Sequence, residues 1–119
     1  MGRYLMALDA GIGGGRCVVF DTQGQLINSN YREWTYHRPQ GIAGAVEFNA
    51  SEFWNILVEV IRKTVAELPG GAEEVAAISA TCMREGIVLL DKQGKEVYAG
   101  PSFDERGRTF NAMLGQEMG

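Results

Sequence analysis

The stretch from Tyr4 to Asp21, YLMALDAGIGGGRCVVFD, constrains this chain more than any other, because it joins two apolar runs through a turn made almost wholly of glycine. Leu5, Met6, Ala7 and Leu8 run into Asp9, and Cys17, Val18, Val19 and Phe20 run into Asp21, with Gly11, Gly13, Gly14 and Gly15 between them. Short apolar runs on either side of such a turn predict a β-hairpin. Two familiar glycine fingerprints do not fit. The dinucleotide pattern G-x-G-x-x-G needs glycine where Arg16 stands, and the P-loop needs G-K-[ST], which the chain lacks. A strand rather than a helix follows the turn, so no helix N-terminus faces an anion. Direct approach of an anion to backbone N–H groups remains, and glycine permits it by removing the Cβ. Asp9 would stand beside that anion and could hold a hydrated Mg²⁺. The plainer alternative is a hairpin turn with an aspartate that ends a strand.

After Asp21 comes the polar turn TQGQ, then LINSNYREW, whose imperfect alternation from Leu26 onward fits a third antiparallel strand. Trp34 to Val46 holds Pro39, Gly41 and Gly44 without a sustained period and reads as an extended surface loop. His37, the single histidine, lies in it and is read as a solvated side chain with no catalytic part. A strong helix follows from about Ser51 to Leu68. Asn49 or Ser51 can cap it, Glu52 puts negative charge in its first turn, and Phe53, Leu57, Val60, Ile61, Val65 and Leu68 recur on one face, joined by Trp54. Pro69, Gly70 and Gly71 end it. Val75 to Cys82 is a continuous run of small and apolar residues, which predicts a parallel strand buried on both faces in the centre of the sheet. A helical or solvent-exposed segment from Val75 to Thr81 would make that architecture fail. Ile87 to Leu90 predicts a second buried run, Asp91 to Gly94 a turn, and Glu96 to Ala99 a short strand.

Arg84 and Glu85 stand between two apolar runs, where charges must be paired, hydrogen-bonded or turned toward a cleft. Together they offer donors and acceptors, which suits a polyhydroxylated ligand, although on the residues alone a turn at the sheet edge with two solvated charges is the preferred reading. A length of 119 residues fits one domain, with 45% hydrophobic and 22% charged residues in the ordinary globular range. A formal charge of −4 argues against nucleic acid as a partner, and no apolar run approaches the roughly 18 residues of a membrane span. Composition therefore points to a soluble cytoplasmic protein. Cys17 and Cys82 are too few and too far apart for a metal site or a disulfide framework, and both read as reduced, buried thiols.

DAGIGGGRCVVFD resembles the D-x-G-T-x-S-x-R phosphate loop of the FGGY carbohydrate kinases, the family of glycerol kinase and xylulokinase within the actin-like ATPase superfamily. Asp9, Gly11 and Arg16 match; Ile12 replaces threonine and Gly14 replaces serine, so two hydroxyl donors are missing. CMREGIVLLD is similar to the segment in which this family places an Arg-Glu pair on the sugar hydroxyls, and SFDER falls where it carries a W-x-D-x-R motif, with Asp104 and Arg106 matching and Ser102 in place of tryptophan. The likeness runs from about Tyr4 to Arg106.

The resemblance implies an incomplete α/β domain of the ribonuclease H-like, actin-like ATPase fold: a mixed sheet with an antiparallel three-strand meander, then a helix and a buried parallel strand. It implies transfer of the γ-phosphoryl group of ATP to a hydroxyl of a small sugar or polyol. Asp9 would position Mg²⁺, Gly11, Gly13 and Gly14 would let N–H groups reach the phosphates, and Arg16 would add charge. Arg84, Glu85 and Asp104 would orient the acceptor in the cleft that the glycine turn also faces. Thr109 to Gly119 predicts a helix, with Phe110, Met113 and Leu114 on one side, that stops without a capping sequence. Family members are much longer, so residues 1–119 are expected to be part of an N-terminal actin-like domain, with the general base outside it and no significant activity alone. A piece exposing an inner surface also has a route to homodimerisation. Two other readings keep a place: a non-catalytic actin-like sensor or nucleotide-binding module with a degenerate phosphate loop, and a structural interaction domain.

Overall fold

A computed structural model describes residues 2–118. The chain forms two compact units: one holds the chain up to Thr35 together with Ala50–Met83, the other Tyr36–Asn49 and the chain from Arg84 onward.

The first unit is a four-stranded sheet covered by one helix. Strands β1 (Tyr4–Ala10), β2 (Gly14–Asp21) and β3 (Leu26–Glu33) form an antiparallel meander, and after helix α1 (Ala50–Ala66) strand β4 (Val75–Cys82) returns parallel to β1, giving the order β3-β2-β1-β4. This is the strand order and direction expected of a ribonuclease H-like domain. Successive side chains of a strand alternate between faces. Tyr4, Met6 and Leu8 of β1 and Cys17 and Val19 of β2 meet Val60, Ile61, Val65 and Leu68 from the helical segment. Asn28 and Asn30 lie on the same face and strap β3 to the helix. Asn28 donates to Glu67 (2.8 Å), while Asn30 donates to Glu67 (2.9 Å) and to the buried Thr64 hydroxyl (3.1 Å), which itself donates to the Val60 carbonyl. Burial pushes the Cys17 thiol above its ordinary value, which suits an inert core residue.

Several burial expectations fail here. Val75–Cys82 is a strand parallel to β1, as expected, but it is the edge of the sheet and not its centre, and Ile78 is 63% exposed. Apolar composition reports what a strand tolerates, and among the described residues β4 has a neighbour along one edge only. The strand is solvent-exposed, the outcome set above as failure, yet strand order and direction are those of the fold, so it is the burial criterion that was wrong. Cys82, at the end of the same strand, is exposed rather than buried. Trp54 stands away from the apolar face of α1 and is 60% exposed.

The second unit holds a two-stranded antiparallel sheet of β5 (Ile87–Leu90) and β6 (Glu96–Gly100). Ile87, Val88, Leu89 and Leu90 are all exposed, against the expectation of a buried run. Residues 36–49 are less open than a surface loop. His37 and Glu47 exchange backbone hydrogen bonds (2.7 and 2.8 Å), Phe48 N–H donates to the Ala99 carbonyl (3.0 Å), and Ala45, Val46 and Phe48 are buried. Tyr36 meets Phe48 and Phe103 edge to face. A 3-10 turn, Arg106–Phe110, leads into helix α2 (Asn111–Met118), where Phe110, Met113 and Leu114 are exposed; the expected end at Gly119 lies outside the described residues.

The β2–β3 and β5–β6 connections use one device. Asp21 and Asp91 each accept N–H bonds from the residues two and four positions on (2.9 Å in every case), with Gly24 and Gly94 left-handed at φ 81° and 78°. Among the described residues no helix is long and apolar enough to cross a membrane.

Candidate functional site

The glycine turn between β1 and β2 is a tight hairpin closed by a hydrogen bond from Gly11 N–H to the Gly14 carbonyl (3.1 Å). None of its glycines takes a left-handed backbone. They are small for another reason, which is space. A Cβ on Gly14 would run into the Arg32 carbonyl and lie 2.8 Å from the Tyr31 ring, and one on Gly15 would lie 3.1 Å from Trp34 and 3.2 Å from Leu57. On Gly13 it would come within 3.1 Å of the Tyr31 hydroxyl. Gly11 faces only the Asp9 carboxylate, at ordinary contact distance (3.6 and 3.7 Å).

Trp34, which no sequence signal singled out, braces the turn. Its ring is buried and stacks on Phe53 of α1 at 4.0 Å. Its indole N–H donates to the Ile12 carbonyl (3.2 Å), and its backbone N–H donates to the Gly13 carbonyl (3.3 Å). The carbonyls of Ile12, Gly13 and Gly14 are thus all engaged by the protein. In a trans peptide the N–H points opposite to the preceding carbonyl, so tying down Ile12 C=O turns Gly13 N–H away from Trp34. A turn whose carbonyls point inward presents a positive outer rim, which is what an anion needs.

Cross-strand register lines up the charged groups beside this rim. Asp9 stands opposite Arg16 on β2 and Thr81 on β4, and Arg16 stands opposite Tyr31 on β3. Tyr31, Arg16, Asp9 and Thr81 therefore form one row on the sheet face away from α1. The Arg16 guanidinium lies 4.7 Å from the centre of the Tyr31 ring. Among the described residues no carboxylate reaches ion-pair distance of Arg16, and no N–H or O–H group donates a hydrogen bond to the Asp9 carboxylate. No group of three or more metal-ligating side chains occurs among them. Asp9 is thus a single carboxylate, a donor set that fits a cation keeping most of its water and not a closed metal cage.

In the second unit Arg84 and Glu85 are both exposed on the turn that opens before β5. Glu85 takes a left-handed backbone at φ 60°, although Gly86 follows it and could bear that geometry at less cost. A strained non-glycine residue held at a turn is an observation from which a functional role is reasonably inferred.

Asp104 is arranged differently. Its side chain is only 6% exposed. Oδ1 accepts from the Val46 N–H (3.0 Å), Oδ2 accepts from the Tyr98 hydroxyl, and the Arg106 Nε lies 2.8 Å from Oδ2 in an ion pair without hydrogen-bond alignment. Arg106 also donates to Glu47 (2.8 Å) and lies over the Tyr98 ring at 4.9 Å. Gly100 leaves the space in which the Tyr98 hydroxyl sits. Burial by itself pushes the Asp104 carboxyl up, but the bonds from Tyr98, Val46 and Arg106 outweigh it and hold the carboxyl down at about 2. The same contacts push the Tyr98 phenol up, burial first and Asp104 next. This carboxylate is consumed by its own unit, a geometry that fits positioning better than contact with a ligand.

Residues 4–118 match the profile of the FGGY family of carbohydrate kinases, N-terminal domain. The autoinducer-2 kinase of Salmonella paratyphi A is 39% identical over 105 residues, covering 88% of this chain and 20% of that protein. Among solved structures, the xylulose kinase of Rhodospirillum rubrum superposes with a TM-score of 0.83 at 21% identity, over 97% of this chain and 23% of its own. A glycerol kinase of Plasmodium falciparum, solved with ADP, gives 0.79 at 15% identity over 96% of this chain and 23% of its own. These likenesses establish the sugar-kinase form of the actin-like fold. The chain spans about a fifth of the length of the curated relatives it matches.

Proposed function

The chain belongs to the FGGY family of carbohydrate kinases, and on that premise we propose that it supplies the phosphate-binding turn of a kinase that transfers the γ-phosphoryl group of ATP to a hydroxyl of a small sugar or polyol. The observation that carries this is the bracing of the turn: three carbonyls tied inward, with Asp9 and Arg16 in register beside the rim. Gly13 offers its outward N–H to phosphate oxygens, Gly11 and Gly14 close the turn beneath it through the Gly11 N–H to Gly14 carbonyl bond, and Arg16 adds positive charge. A Mg²⁺ held through water by Asp9 would neutralise developing phosphate charge when bound. Arg84 and Glu85 bind the acceptor hydroxyls, with the strained Glu85 backbone presenting the carboxylate. Asp104 serves the acceptor site by holding Val46, Tyr98 and Arg106 in place.

In-line transfer requires the γ-phosphoryl group and the acceptor hydroxyl to be held in contact at the moment of reaction. Phosphoryl transfer is mostly positioning and electrostatics, so residues 1–119 on their own, as part of an N-terminal actin-like domain, lack significant activity. A cytoplasmic setting fits an ATP-using enzyme, and the exposed apolar side chains of β4 offer a surface for self-association.

Asp9→Ala in the full-length gene product is the test. Steady-state kinetics with ATP and a panel of sugars and polyols should show turnover falling by at least about a hundredfold, the scale on which removal of one electrostatic stabiliser acts. A variant that keeps its turnover removes the turn from the phosphate site. A second reading is favoured by Ile12 and Gly14, which lack the hydroxyls of the family motif: a module that binds nucleotide without transferring phosphate. Nucleotide binding with no turnover on any acceptor would select it.

A further inference from the structure

We infer that Tyr31 supplies the side-chain hydroxyl that the glycine turn lacks, acting from the neighbouring strand as a donor to the bound phosphates. This rests on the phosphate-turn reading above and adds to it a residue that the family motif does not contain.

Three observations place it there. The Tyr31 hydroxyl is within 3.1 Å of where a Gly13 Cβ would stand, beside the peptide whose N–H is turned outward by Trp34. The Tyr31 ring fills the space that a side chain at position 14 would need, 2.8 Å from that Cβ, and the Arg32 carbonyl closes the rest. Glycine at 14 and tyrosine at 31 thus form one arrangement in which the hydroxyl reaches the turn from β3 instead of from β2. Register puts Tyr31 in the row with Arg16 and Asp9, and its ring holds the Arg16 guanidinium at 4.7 Å. Among the described residues the phenol hydroxyl has no hydrogen-bond partner, and the side chain is 45% exposed. A phenol next to an outward N–H and a stacked guanidinium is a three-donor set for an oxyanion.

The test is Tyr31→Phe in the full-length gene product, which keeps the ring and its stacking on Arg16 and removes only the hydroxyl. Calorimetric titration with MgADP and with adenosine, alongside thermal unfolding, separates the roles. Loss of one hydrogen bond to a charged phosphate predicts about tenfold or more weaker MgADP binding, with adenosine affinity and unfolding temperature unchanged. Adding Ile12→Thr to Tyr31→Phe should recover part of the loss, because Ile12 is exposed and a hydroxyl there would reach the same rim. Unchanged MgADP affinity, with Asp9→Ala inactive, would overturn the role of Tyr31 and leave the turn as the phosphate site. Equal losses for MgADP and adenosine with a lowered unfolding temperature would mean a purely structural tyrosine and would overturn it too. If Asp9→Ala keeps its turnover, both readings fall.

Discussion

The turn from Gly11 to Gly13 and the turn at Arg84–Gly86 carry the two halves of the proposed chemistry, and they are built on opposite principles. In the first, every residue is fixed from behind: Trp34 holds two carbonyls, and Tyr31 and Arg32 exclude any side chain at position 14. Its backbone is unstrained. The second is exposed, and its acidic residue sits in a left-handed conformation that costs roughly 1 kcal/mol or more. Backbone donors are aimed only by packing, so a phosphate turn needs a rigid floor. A charged side chain that must reach a ligand can be presented by a strained but open turn.

Trp34→Ala is the change with the largest expected effect on this contrast. Removing a buried aromatic stacked on Phe53 should destabilise the first unit by about 3–5 kcal/mol, seen as a lower denaturation midpoint. Trp34→Phe separates the parts, because it keeps the stack and removes the bond to Ile12, for a loss of about 1 kcal/mol. Equal stability of Trp34→Ala and the parent would show that the turn does not depend on this floor.

Gly14→Ser restores the residue of the family motif and should nevertheless destabilise by about 1–3 kcal/mol, since the added atoms meet a backbone carbonyl. Combining it with Tyr31→Gly should return little of the loss, because Arg32 stays in place. A stabilised Gly14→Ser protein would contradict the packing described for the turn. At the other turn the sign reverses. Glu85→Asn relieves the left-handed backbone and should raise stability by about 1 kcal/mol or less, while the KM for the acceptor rises. If stability falls instead, Glu85 is a structural residue and the contrast between the turns disappears.

The smallest effect is confined to acid. Asp104 has a carboxyl held at about 2 against an ordinary 3.8, so the stability it contributes is complete above about pH 4 and is lost as pH falls through about 2. Exchange of the Val46 amide, followed by NMR down that range, should show the loss, and Asp104→Asn should flatten it. An identical acid profile in the two proteins would separate Asp104 from the hydrogen bonds of Val46 and Tyr98.

Much of this architecture was legible in the sequence. The hairpin, the meander, the helix and the parallel strand were each announced by apolar runs between polar turns, and the polar stretches TQGQ and Asp91 to Gly94 marked two further turns. Burial was less legible, since Val75–Cys82 and Ile87–Leu90 have core composition yet lie exposed. Composition records the surroundings a segment is suited to, which a segment of fixed length need not contain. Within the candidate site, Asp9 and Arg16 could be proposed because the motif that holds them is local in the chain. Trp34 and Tyr31 could not, because Tyr31 lies on β3 and Trp34 directly follows that strand, and both come to the turn through a strand pairing that no local pattern encodes. The resemblance of SFDER to the family motif assigns Asp104 to the acceptor, and nothing at positions 102–106 reveals that Val46 and Tyr98 converge on it.

The parallel pairing of β1 with β4 bears on how the chain is born. During synthesis β1, β2 and β3 emerge first and can zip together through short connections, whereas the other side of β1 must wait until the chain has passed through α1 and reached Val75. Until then its N–H and C=O groups along that side lack their strand partner, and such unsatisfied borders pair readily with foreign chains. The helix between them shortens the vulnerable interval, because it docks on the meander and carries the nascent chain back toward the waiting border. Substitutions that weaken docking of α1, at Val60 or Ile61, should therefore show first as aggregation during expression and only later as reduced stability of the finished protein.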